Sequence, residues 1–171
     1  MEPDDMADLA AAHDDTVAVI RAIPDAALDW PPGGAEWPLK QIIGHLAHAN
    51  DFYIMIVDEV LAASFGPVRL HDGLPGFQRM AATDAAVAGC SSTTAALDCF
   101  ERTYGQLLAV LQAIAPADLD RPFVLMTPQP DGAPKPTTIR QRVIRMAASH
   151  LREHQPHLND TLARWQAVEH R

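Results

Sequence analysis

The chain has 171 residues, 48% of them hydrophobic, with 22 acidic residues against 13 lysines and arginines and a formal net charge of −9. This length and apolar content suffice for one globular domain and exclude global disorder. The acidic balance argues against nonspecific binding to nucleic acid, whose phosphates need cationic partners. The N-terminal stretch Met1–Asp15 is acidic where a signal peptide is basic, and no apolar run approaches the roughly 20 residues of a membrane span. Two cysteines, Cys90 and Cys99, make neither a disulfide framework nor a metal-spaced motif. The expectation is a cytoplasmic domain spanning 1–171, with no nucleic-acid or membrane partner.

Apolar residues recur at steps of three and four in four segments, while strand-like alternation is scarce. The first segment, about Pro3–Ile23, carries Met6, Leu9, His13, Val17 and Ile20 on one stripe and stops at Pro24. The second opens near Pro38, a residue suited to a first helical turn, and runs to about Ala63 with Ile42, Leu46, Tyr53, Ile56 and Val60 inward. Residues 66–92 are broken by glycines and prolines, with a short helix expected over about Phe77–Val87. A connection this long predicts a crossover rather than a tight hairpin.

The third helix follows the hydroxyls of Ser91, Ser92, Thr93 and Thr94, candidate N-caps. Phe100, Tyr104, Leu107, Leu111 and Ile114 form its stripe, and Pro116 closes it. Residues 115–137 hold six prolines and read as an extended loop. The fourth helix opens at Thr138, which has capping-box spacing to Gln141, and runs to about Val168. Pro156 lies inside it and predicts a bend or bulge within Arg152–Pro156. Four one-sided helices bury their stripes most simply as an all-α four-helix bundle.

Eight histidines are present: His13, His45, His48, His71, His150, His154, His157 and His170. At about 100° per residue, His45 falls roughly 60° from Ile42, at the border of the second helix's apolar face, and His48 roughly 120° away, outside it. On the fourth helix His150 and His154 fall within the apolar face and His157 towards its edge. Imidazoles four residues apart stack one above the other and can share one ion, with a third from a facing helix completing the set. Three protein ligands leave a coordination position open, the pattern of catalytic zinc. The competing reading of the same spacing is a hydrogen-bonded pair of core histidines. His13 reads as core packing that could line the same cavity; His71 and His170, in a loop and a tail, carry no assignment.

His150-Leu-Arg-Glu153-His154 matches the H-x-x-E-H pattern of inverted zinc proteases. Those enzymes take an acidic ligand from well downstream, whereas the only glutamate after His154 is Glu169. A protease is therefore disfavoured. Glu153, at the rim of the helix face, stays open as a residue behind the ligands or as a general base.

The stretch Trp37-Pro-Leu-Lys-Gln-Ile-Ile-Gly-His45-Leu-Ala-His-Ala-Asn-Asp51 resembles the second-helix motif of the DinB-like metalloprotein superfamily. His150-Leu-Arg-Glu-His154-Gln-Pro-His-Leu158 resembles its last-helix motif. The resemblance implies a four-helix bundle of up-down-down-up topology with long crossover loops. It implies a divalent metal, usually zinc, nickel or iron, on His45, His150 and His154, and frequent homodimers. Similar proteins include metal-dependent transferases using mycothiol, bacillithiol or glutathione, maleylpyruvate isomerases, and many members without a known activity. The implied function is a metal-dependent enzyme of thiol-transferase or hydrolase type acting on a small-molecule substrate. The alternative is a stress-response protein that holds a metal or small molecule without transforming it. Where many relatives carry Arg-Gly-Gln after the second histidine, this chain has Gln155, Pro156 and His157.

Overall fold

The computed structural model describes residues 4–34, 36–68, 84–126 and 136–170. Four long helices dominate: α1 (Asp5–Arg21), α2 (Leu39–Ala62), α3 (Thr93–Gln112) and α4 (Met146–Glu169). Each end has a local cause. Asp4 caps α1, its carboxylate accepting from the amides of Met6 and Ala7 at 3.1 and 3.3 Å, with Asp5 and Asp8 in the first turn favouring the positive end of the helix dipole. Ser92 caps α3 by accepting from Ala95 N at 3.1 Å. Beside it, Thr93 donates from its amide to the Asp25 carboxylate and from its hydroxyl to the Ile23 carbonyl, both at 2.7 Å. These bonds pin the start of α3 to the chain leaving α1. After α2 the chain reverses through Ser64 and Phe65, both in the left-handed region at φ 51° and 62°.

The helices pack as a four-helix bundle. α2 lies mainly against α3 and α1 mainly against α4, and contacts of α2 with α4 and α1 with α3 close the core. Leu9, Ile20, Leu39, Ile43, Leu46, Ile56, Phe100, Leu107, Leu111 and Leu158 are fully buried and come from all four helices. Two polar groups are buried together between α2 and α3. Asn50 Nδ2 donates to Thr103 Oγ1 at 3.2 Å, and that hydroxyl donates to the Phe100 carbonyl at 3.0 Å. Asp5 is also buried, and Arg145 Nε donates to its two oxygens at 3.0 and 3.1 Å.

Three departures from the sequence expectation bear on the site. First, part of the proline-rich connection is not a plain loop. Strands β1 (Pro67–Val68), β2 (Phe123–Leu125) and β3 (Pro136–Thr137) form a small sheet of order β1-β2-β3, parallel between the first two and antiparallel between the last two. Such two- and three-residue strands leave no readable alternation. Second, the short helix expected over Phe77–Val87 falls partly outside the described residues; within them, 84–89 is helical.

Third, the fourth helix is irregular in a different place. Thr138 accepts from Gln141 N at 3.1 Å, one half of the expected capping box, and the chain then runs as a π-helix over Arg140–Arg145 before α4 begins. Through Pro156 the α-helix is continuous. The buried side chains of Leu151, Leu158, Thr161 and Leu162 hold the helix on both sides of the proline and offset its lost hydrogen bond and ring crowding. The π turn accommodates an extra residue, which turns everything downstream by about 100° relative to a regular helix. Ala148, Leu151 and Leu162 therefore face the core. His150 and His154, expected well inside the apolar face, lie half-buried at its flank, and Glu153 and His157 are exposed.

Candidate metal centre

At that flank the fold brings together His45 of α2 with His150 and His154 of α4. One nitrogen from each ring lies within 4.8 Å of the others. His45 Nε2 and His150 Nε2 are 3.0 Å apart. The rings meet edge to face, with centroids at 5.0 Å for His45–His150, 5.1 Å for His45–His154 and 4.7 Å for His150–His154. Zinc–nitrogen bonds of about 2.0–2.1 Å place tetrahedral ligand atoms roughly 3.3–3.4 Å apart, so this cluster is close to a ligating arrangement.

The electrostatics agree with the geometry. Burial, and after it the neighbouring His150 and His48, lowers the His45 pKa to about 4. Burial, followed by His150, His45 and His157, lowers that of His154 to about 4. His150 is lowered too, chiefly by burial, with Glu153 opposing. Three imidazoles kept neutral each offer one lone pair, the form in which histidine binds a metal. The donor set therefore fits a divalent ion, and borderline metals such as zinc, nickel or iron suit imidazole nitrogen.

Trp37 walls the cluster. Its ring stands edge-on to His45 at 5.2 Å and parallel to His154 at 6.5 Å, with 39% of the residue exposed. Beyond His154 opens a pocket of about 690 Å³, bordered by Trp37, Ile42, His157, Asp160 and Arg164 among others. Arg164 is held at its rim by Glu36, the Pro32 carbonyl and the Trp30 ring.

The other histidines sit elsewhere. His48 is not part of the cluster among the described residues. His13 is mostly buried and stacks on Tyr104 at 3.7 Å and Phe100 at 5.4 Å, away from the three ligand candidates in the contacts it makes; its Nδ1 meets Asp14 at 3.1 Å. His170 ends α4 and is exposed, and His71 lies outside the described residues. Glu153 accepts from the Ser149 hydroxyl at 3.3 Å on the exposed side of α4. The Cys90 thiol is pushed up to about 11, first by burial, which makes it a poor nucleophile. Sequence periodicity had no means of finding the pocket rim: Glu36 and Arg164 meet across 128 residues, and only the tertiary fold joins them.

A four-helix bundle whose facing helices bring together a half-buried histidine triad, with His154 bordering a pocket, has the architecture of proteins that build metal sites between helices. The chain belongs to the DinB superfamily, whose profile matches residues 8–158. Among solved structures it is similar to YfiT from Bacillus subtilis, described as "a probable metal-dependent hydrolase with an unusual four-helix bundle topology". The two share 15% identity over 95% of this chain and 86% of that one, with a TM-score of 0.68, a likeness of fold. No curated protein matches the sequence significantly. No helix among the described residues is long and apolar enough to cross a membrane.

Proposed function

We propose that this protein is a metal-dependent enzyme, of hydrolase type, that holds one divalent ion on His45, His150 and His154 and takes a small-molecule substrate in the adjoining pocket. The observation that carries the reading is the convergence of three half-buried imidazoles, one of which, His154, also borders a cavity of about 690 Å³. A structural site is closed by four protein ligands, whereas three ligands beside a cavity leave room for a reacting group. The description of YfiT supports the hydrolase assignment.

A bound divalent ion would supply Lewis acidity and a lowered pKa for a coordinated water or thiol. The chain's own residues do the remainder. The three histidines bind and stay deprotonated near neutral pH. Trp37 shields two of the rings from solvent and gives a flat apolar wall against which a substrate can lie. The exposed carboxylate of Asp160 and the Arg164–Glu36 pair give the pocket polar groups for orienting it.

Thiol transfer on the same site is the sister activity, with a low-molecular-weight thiol in place of water. A single domain over 1–171, an up-down-down-up helix order and homodimerisation complete the reading. The buried cluster shared by all four helices supports the first, and the family likeness the other two. The test is a panel of ester, amide and lactone substrates, assayed with metal-loaded and chelator-stripped protein, with and without added thiols. Turnover that requires both the metal and the three histidines is expected. Absence of metal uptake by the untagged protein refutes the proposal.

A further inference from the structure

The reading of His45, His150 and His154 as ligands leaves one neighbouring ring unused. His157 Nδ1 lies 3.4 Å from His154 Nδ1, with ring centroids 5.3 Å apart and the planes at 73°. A neutral imidazole carries one proton and one lone pair, so what its first nitrogen does decides what its second can do. Metal-binding histidines commonly donate their other N–H to a partner that fixes tautomer and ring orientation. Among the described residues, the polar partner of His154 is His157.

We propose that His157 is a positioning residue for the metal centre. It accepts a hydrogen bond from His154 Nδ1–H and so holds His154 in the tautomer whose Nε2 lone pair is bare for the ion. The inference rests on the metal-site reading above. If the bond ran the other way, the His154 proton would sit on Nε2 and block ligation, so ion binding selects the direction stated. With Nδ1 as acceptor, His157 carries its own proton on Nε2, and its ring also borders the pocket beside Asp160. The residue that orients the ligand is thereby one that a pocket occupant touches. The π turn is what makes this arrangement possible: it rotates α4 so that His154 flanks the core while His157, three residues on, is exposed.

The test compares wild type, His157→Ala and His157→Asn, whose amide oxygen can stand in for the accepting nitrogen. Zn²⁺ affinity is measured by chelator competition, and the Co²⁺-loaded proteins are compared by absorption spectroscopy. Because His157 is exposed, all three should show the same apo melting curve. The alanine variant should bind about 10–100-fold more weakly, the range found for outer-shell partners. The asparagine variant should recover most of that loss, and the Co²⁺ spectrum should keep the same coordination type throughout. Equal affinity in all three proteins overturns the role of His157, as does an asparagine variant no better than alanine. A change of Co²⁺ coordination in the alanine variant makes His157 a fourth ligand and also overturns it. A wild type that takes up no metal removes the metal-site reading itself, an outcome separable from the others.

Discussion

His45 Nε2 and His150 Nε2 lie 3.0 Å apart although 105 residues separate them in the chain. Two cationic imidazoles would not tolerate that distance in a half-buried setting, because like charges raise the energy of the doubly protonated pair. Burial lowers the pKa of both rings, which favours the neutral forms, each with one lone pair.

Replacement of His154 by alanine is expected to lower metal content to near zero, measured by elemental analysis of untagged protein. The stability that metal adds should vanish with it. An ion that binds only the native state contributes RT ln(1 + [L]/Kd), about 2.7 kcal/mol at one hundred times Kd. Wild type should therefore melt lower with chelator, and the variant should melt identically with and without it.

The apo protein should lose stability as pH falls from about 6.5 to about 4. His45 and His154 titrate near 4 in the folded chain against 6.5 in the unfolded one. Above 6.5 both states are neutral and the two residues confer no pH dependence. Between the two values the unfolded state binds more protons, so unfolding becomes easier as pH drops; near 4 the effect levels off. Melting temperature against pH should slope less over this interval in a His45→Gln/His154→Gln variant. Metal release from the loaded protein should follow the same direction, since protons compete for the lone pairs.

Gly44→Ala should destabilise the protein by about 1–3 kcal/mol through overpacking. A Cβ at Gly44 would stand 2.6 Å from Val87 Cγ2, 2.8 Å from Val87 N and 2.9 Å from its Cα. Two of those atoms are backbone, so shortening Val87 to alanine should not rescue the variant in chemical denaturation. His45 is the next residue, and chelator competition should show weakened metal binding in the same protein.

Asp5→Ala should cost about 1–3 kcal/mol, because it removes a buried carboxylate that accepts charge-assisted hydrogen bonds from Arg145 on both oxygens and pairs with Arg140. Asp8→Ala, which removes an exposed partner of Arg152, should cost no more than about 1 kcal/mol. Equal effects of the two in urea titrations would contradict the distinction between buried and exposed ion pairs drawn from the fold.

The sequence by itself determined the four amphipathic helices, the cap at Thr138, a run of four candidate caps from which the structure uses Ser92, and the three histidines worth placing together. These are local or periodic features: spacing of three and four, a hydroxyl before an apolar run, two imidazoles one turn apart. It did not determine which way the fourth helix faces. Nothing in Arg140–Arg145 announces a π turn; the turn buries both Val143 and Ile144, and downstream of it His150 and His154 lie at the flank of the apolar face rather than inside it. The anomaly the sequence did announce, Pro156, is absorbed by burial on either side. Only the tertiary structure joined Trp37, His157 and Arg164 around one pocket, because contacts between helices distant in the chain leave no spacing to read.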